Sequence, residues 1–262
     1  MPYAINAIDN ARTYYEDDGG AGAPVLFYSG LTDSIEFAKV SPLARALEGK
    51  CRRIFADHRG HGRSDKPHDP AEYSLRLQVA DVVAVLDATG VERVHFIGSS
   101  WGARLGFALG EHAPERVASL ILGGNQPYEW DFSSPLIQAA EAAVKTLAGG
   151  SMTEFVRVAE ERLGEPFPEP SRSQIMENDA LAIHAAWQST HSEGAISKSL
   201  SKWRIPCLIY AGMNDDMHDN ARRAANEIPG AIFVSLPEVT HINTGVAEDL
   251  IVDYVLDLIA DG

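Results

Sequence analysis

Two hydrophobic rhythms alternate along most of the chain. Val25–Tyr28, Ile54–Ala56, Val94–Ile97, Val117–Leu122, Cys207–Tyr210 and Ile232–Leu236 are short apolar runs. Such runs predict strands covered on both faces of a sheet. Tyr3–Asp9 and Arg12–Asp17 carry β-formers and join at Asn10, which predicts two further short strands near the N-terminus. Between the runs, apolar residues recur at helical spacing over Ile35–Leu47, Leu75–Leu86, Arg104–His112, Asn220–Ile228 and Val246–Ala260, with Gly90 as a stop signal. Strand and helix in alternation predict right-handed βαβ crossovers and a mostly parallel, twisted, eight-stranded α/β sheet flanked by helices.

The alternation breaks at Gly123. Residues 125–205 contain no convincing strand. Pro135–Leu147, Met152–Leu163, Asp179–Thr190 and Ala195–Trp203 have helical patterns, and the proline-rich Gly164–Pro170 predicts a kinked linker. The expected organisation is a core of 1–124 plus 206–262, with 125–205 inserted as a helical lid over the sheet after the sixth strand.

Composition narrows the function classes. The 262 residues hold 22 Lys and Arg against 37 Asp and Glu, a net charge of −15. This balance disfavours nucleic acid and anionic membranes as partners, because both need a basic surface. No apolar run is long enough to span a bilayer, and the start of the chain lacks a signal-peptide pattern, so the expected location is cytoplasmic. Two cysteines make no disulfide framework or metal knuckle. The expected partner is a small-molecule substrate, with no cofactor and no metal, acted on by a monomer or homodimer. The acid is uneven: residues 206–262 hold ten acids and two bases.

The candidate chemistry begins after the Val94–Ile97 run, at Gly98-Ser99-Ser100-Trp101-Gly102. This is a G-x-S-x-G between a predicted strand and a predicted helix. A strand turning sharply into a helix brings backbones close and strains the central residue, which small flanking residues permit. The turn would hold Ser100 Oγ above the carboxyl ends of the strands, at a helix N-terminus that favours negative charge. Ser99, one place earlier, would point into the packing.

With Asp57, Arg59, Gly60, Gly62 and Ser64 forming a D-x-R-G-x-G-x-S turn, the chain resembles the α/β-hydrolase superfamily over essentially its whole length. The 125–205 block lies where that family inserts its lid. Haloalkane dehalogenases and epoxide hydrolases of the superfamily carry Asp at the nucleophile position, so Ser100 points instead to acyl transfer. The resemblance implies the order nucleophile, acid, base. His241, after the last strand, occupies the family position of the base, with His218 as the alternative. Asp215, in Gly212-Met213-Asn214-Asp215, matches the family acid, with Asp216 one register away. The oxyanion hole implied is the backbone N–H of Trp101 and of Leu31. Ser29 stands where most relatives have His, which changes what braces that loop.

Trp101, Tyr128 and Trp130 are the expected substrate contacts. Asp215, Asp216, His218 and Asp219 also crowd enough ligand atoms to raise a metal reading, although without the spacing of a known loop. Asp216 and Glu238 are expected to favour the protonated form of His241. The activity expected is hydrolysis of a carboxylic ester or lactone of a small apolar or aromatic substrate. The alternatives are carbon–carbon bond hydrolysis of a dienone-type acid with the same triad, and a non-catalytic small-molecule receptor on a hydrolase scaffold.

Overall fold

A computed structural model describes residues 2–164, 166–167, 169–197 and 199–260. Eight strands form one sheet: β1 Tyr3–Ile5, β2 Arg12–Asp17, β3 Pro24–Tyr28, β4 Arg52–Ala56, β5 Val94–Ser99, β6 Val117–Gly123, β7 Cys207–Gly212 and β8 Ile232–Leu236. Their spatial order is β1-β2-β4-β3-β5-β6-β7-β8. The β1–β2 and β2–β4 pairs are antiparallel, and every pair from β4 through β8 is parallel. The buried central strands β3, β5, β6 and β7 are the apolar runs read from the sequence.

Ten α-helices accompany the sheet among the described residues: α1 Ile35–Val40, α2 Pro42–Ala46, α3 Leu75–Thr89, α4 Trp101–His112, α5 Pro135–Lys145, α6 Met152–Leu163, α7 Ser171–Met176, α8 Ala180–Ser189, α9 His218–Glu227 and α10 Val252–Ala260. α3, α4 and α9 share one apolar cluster on one sheet face, through Val82, Leu86, Phe107, Leu109 and Ala221. The opposite face packs against α1, α2 and α10 through Ile35, Leu43 and Val255. A third cluster lies outside the sheet. It joins α5, α6 and α8 through Ile137, Val144, Phe155, Ile183 and Trp187, and it takes in Trp101, Leu31, Tyr73 and Met217 from the core.

Several boundaries differ from the sequence reading. Ile35–Leu47 is two short helices, because Ser41 leaves helical geometry and its side chain caps α2 by accepting from Ala44 N–H. Ala195–Trp203 is not a helix. Its described part holds one 3₁₀ turn, Leu200–Lys202, and the Ile196 N–H donates instead to Pro127 O at 2.8 Å. The C-terminal stretch opens as a 3₁₀ segment, Thr244–Ile251, before α10. The expected linker Gly164–Pro170 lies partly outside the described residues. Cys51 and Cys207 are buried and free, and the strands β4 and β7 they flank are not neighbours.

Candidate active site

The site forms where β3, β5, β7 and β8 end. β5 stops at Ser99 and α4 starts at Trp101, leaving Ser100 as the corner with φ 50° and ψ −111°. A non-glycine residue there costs on the order of 1–3 kcal/mol and persists only when its surroundings impose it. The surroundings are close-packed backbone. A side chain at Gly98 would overlap Gly102 O, and one at Gly102 would overlap Tyr28 O. Ser100 N–H donates to Gly123 O at 2.7 Å, and Asn125 Nδ2 donates to Ser100 O at 3.0 Å, so both sides of the corner are tied to the end of β6.

Ser100 Oγ lies 2.9 Å from His241 Nε2, and His241 Nδ1 lies 3.0 Å from Asp215 Oδ2. In this arrangement Nδ1–H donates to the carboxylate and Nε2 is free to accept from the hydroxyl. Asp215 has no exposed side-chain surface, and its Oδ1 accepts Met217 N–H at 2.9 Å. Gly124 (φ +66°) is the close neighbour of this pair, and a Cβ there would stand 3.5 Å from both Asp215 Oδ2 and His241 Cε1.

The other acids of this segment face elsewhere. Asp216 Oδ2 accepts from Ser134 Oγ at 3.0 Å and from Leu136 N–H at 2.9 Å, which places it at the start of α5. It is therefore not the partner of His241 that its position in the sequence suggested. Glu238 is exposed, at φ 57°. His218 pairs with Ser235, and Asp219 with Arg222. Of the four side chains of the metal reading, His218 and Asp219 meet each other at 3.3 Å, while Asp215 turns to His241 and Asp216 to the start of α5.

Leu31 follows Gly30 and Trp101 follows Ser100, and among the described residues no protein acceptor takes the backbone N–H of either. Ser29 O, just before this loop, accepts Gly102 N–H at 2.9 Å and His58 Nε2–H at 3.0 Å. Burial lowers the His58 imidazolium to about 3, so the ring is a neutral donor. His58 thus supplies, from the turn after β4, the brace that is absent at Ser29. The sequence motif of that turn singles out Asp57, Arg59, Gly60, Gly62 and Ser64, and not His58. The signal was the pairing of β3 with β4, which brings their carboxyl ends side by side. Asn125 carries no sequence signal of its own either, because it acts on the backbone carbonyl of Ser100.

Thr32 (φ 73°) turns the loop so that Asp33 folds back over Gly30: Gly30 N–H donates to Asp33 Oδ2 at 3.0 Å, and Asp33 N–H to Gly30 O at 3.2 Å. Asn178 Nδ2 holds Thr32 O from the α7–α8 junction at 2.7 Å. Protein surrounds Asp33 closely enough for burial to push its carboxyl up to about 7.

Above Ser100, Trp101, Trp130 and Trp187 meet with ring centroids 6.2–6.5 Å apart. Arg104, one turn along α4 from the nucleophile, lies 4.4 Å from the Trp130 ring centroid. Its Nε donates to Glu193 Oε2 at 3.0 Å, and its Nη1 donates to Gln126 O and Tyr128 O, both at 3.0 Å. Trp130 Nε1 also donates to Glu193, at 3.3 Å. Of the expected substrate contacts, Trp101 and Trp130 therefore come together. Tyr128 does not join them: its ring lies under Arg223 of α9, 4.1 Å from the guanidinium.

A family model described as alpha/beta hydrolase fold matches residues 23–168. The chain belongs to the α/β-hydrolase family. This hydrolase is 38% identical over 267 residues to the Azorhizobium caulinodans protein named "Putative carbamate hydrolase RutD", covering 98% of this chain and 97% of that one. Among solved structures it resembles a hydrolase from Pseudomonas aeruginosa PA01 (TM-score 0.78, 24% identity, covering 98% and 97% of the two chains). It also resembles the enol-lactonase from Burkholderia xenovorans LB400 (TM-score 0.76, 20% identity, covering 99% and 100%). At those identities the two structures speak for the fold alone. Among the described residues, no helix of the α/β-hydrolase is long and apolar enough to cross a membrane.

Proposed function

We propose that the protein is a serine hydrolase that cleaves a small carboxylic ester or lactone through an acyl-enzyme. One observation carries the reading: Ser100, at a strained strand–helix corner, lies within hydrogen-bond reach of His241 Nε2, while His241 Nδ1 is held by the buried Asp215. Ser100 Oγ attacks the carbonyl carbon as its proton passes to His241 Nε2. The tetrahedral oxyanion takes the Leu31 and Trp101 N–H groups, which have no other protein acceptor among the described residues. His241 then gives the proton to the departing alkoxide. Water, deprotonated by His241, attacks the acyl-enzyme and restores Ser100. Asp215 stays ionised throughout and holds the tautomer.

The helical block acts as a lid in this reading, because its apolar cluster includes Trp101 and Leu31, which flank the nucleophile. Trp101, Trp130 and Trp187 make an aromatic wall suited to an apolar or aromatic substituent.

A carbamate is the second substrate class, favoured by the name of the relative that matches nearly the full chain. The same attack on a carbonyl serves it. Carbon–carbon bond hydrolysis has less support, since Arg104 already gives its Nε to Glu193 and its Nη1 to two carbonyls, leaving only the buried Nη2 without a partner among the described residues.

A fluorophosphonate probe with mass mapping tests the reading. Label is expected on Ser100, and an activated ester should give a burst of product. Ser100→Ala should lose both, with kcat down by about 10³-fold or more. Full activity in that variant would overturn the reading. An ester, lactone and carbamate panel then ranks the substrates.

A further inference from the structure

The Asp33 carboxyl is the group that the reaction above leaves unused. Its Oδ2 is occupied by Gly30 N–H. Its Oδ1 has no hydrogen-bond partner among the described residues, and it is not sealed away as a buried orphan atom. No lysine, arginine or histidine of the described residues pairs with it, and burial, without any opposing cation, is what disfavours its charge.

Its location is set by Gly30. A Cβ built on that glycine would stand 2.9 Å from Asp33 Oδ2 and 3.5 Å from Ser100 Cβ. Gly30 therefore lies between the Asp33 carboxyl and Ser100, with both within reach of its α-carbon substituent position. The loop is held in this shape by His58 on one side and by Asn178 of the lid on the other. A fixed, half-buried carboxyl with one open oxygen and no counter-ion among the described residues matches a donor that arrives with the ligand.

We propose that Asp33 is a specificity residue, whose open oxygen accepts an N–H, best an ammonium N–H, carried by the acyl part of the substrate one or two atoms from the scissile carbonyl. This rests on the serine-hydrolase reading of Ser100 and narrows its substrates to amino-bearing acyl groups.

Two isosteric pairs test it. The first is glycine p-nitrophenyl ester against p-nitrophenyl propionate, compared by kcat/KM. The second is glycinamide against propionamide, compared by NMR titration of the enzyme, which needs no turnover. The wild type should favour the amino member of each pair at neutral pH. Asp33→Asn keeps an acceptor for Gly30 N–H, so it should reduce that preference by at least about tenfold while leaving the propionate rate within a few-fold. Asp33→Ser, also able to accept from Gly30, should do the same if the asparagine variant folds poorly. The proposal fails if the variants slow both esters equally, because Asp33 would then only hold the loop. It fails equally if the wild type does not bind glycinamide in preference to propionamide. Loss of the hydrolase reading looks different: Ser100 would remain unlabelled by the fluorophosphonate whatever the amides show.

Discussion

Ser100 cannot hold its own backbone in the conformation it adopts. The holding is done by Gly98 and Gly102, whose missing side chains let β5, α4 and the end of β3 approach one another. The same logic continues into the oxyanion loop, where Ser29 contributes only a carbonyl and His58 braces it. His58→Phe removes that donor while keeping the bulk of the ring. A fall of about tenfold in kcat with little change in KM is expected, since the brace matters most when charge develops on the oxyanion. Steady-state kinetics check this, and an unchanged kcat would count against the brace. Because burial holds His58 neutral down to about 3, it adds no inflection to a pH–rate profile in the neutral range. Ser100, His241 and Asp215 were legible in the sequence because a motif, a chain order and the flanking strands all agreed. His58 and Asn125 were not, because each acts through a backbone atom of a residue brought near only by strand pairing.

At the scale of elements, the lid is fastened at both ends by one side chain. Arg104 on α4 holds Gln126 and Tyr128 where the chain leaves β6, and Glu193 where it nears its return. The Arg104 side chain is 2% exposed and that of Glu193 is 11% exposed. Arg104→Met strands a buried carboxylate and should cost about 3–5 kcal/mol, read as a lower denaturation midpoint. Adding Glu193→Leu should recover part of the loss, and a double-mutant cycle measures the coupling. Strictly additive effects would show that the pair is not a unit. The helical block itself was legible from the failure of the strand rhythm after Gly123. Its C-terminal part was not: Ala195–Trp203 has helical spacing, but a long-range hydrogen bond from Ile196 to Pro127 took precedence over local propensity.

For the molecule as a whole, the net charge of −15 hides buried carboxyls that resist ionisation, Glu248 and Asp33 among them. Glu248, on the 3₁₀ segment after His241, accepts Leu43 N–H at 3.2 Å, and burial pushes it up to about 7 from 4.5. The folded state therefore binds more protons than the unfolded chain between those two values. The contribution of Glu248 to stability should decline as pH rises from about 4.5 to about 7 and level off above. Asp33 bends the curve in the same direction. Glu248→Gln should remove its own share, making the variant more stable than the wild type above neutrality by on the order of 2 kcal/mol, with the difference vanishing in acid. Urea melts at acidic and mildly alkaline pH decide it, and a difference that does not change with pH would refute it. The architecture, including the order of rhythms and the acid-rich C-terminal quarter, was readable from the chain. Which acids sit inside was not, because burial depends on the packing of distant segments.

Leu31 and Trp101 belong to two machines at once. In the proposed reaction their amides receive the oxyanion, and their side chains sit in the apolar cluster of the helical block. A change of shape in that cluster is therefore transmitted to the two amide positions without passing through the substrate. On the proposed reading the helical block works less as a door than as a tuning peg: repacking at Ile137, Val144 or Ile183 should alter how well the proposed site cradles negative charge. Rate, and not only affinity, becomes a property that evolution or design can adjust from the outside of the molecule.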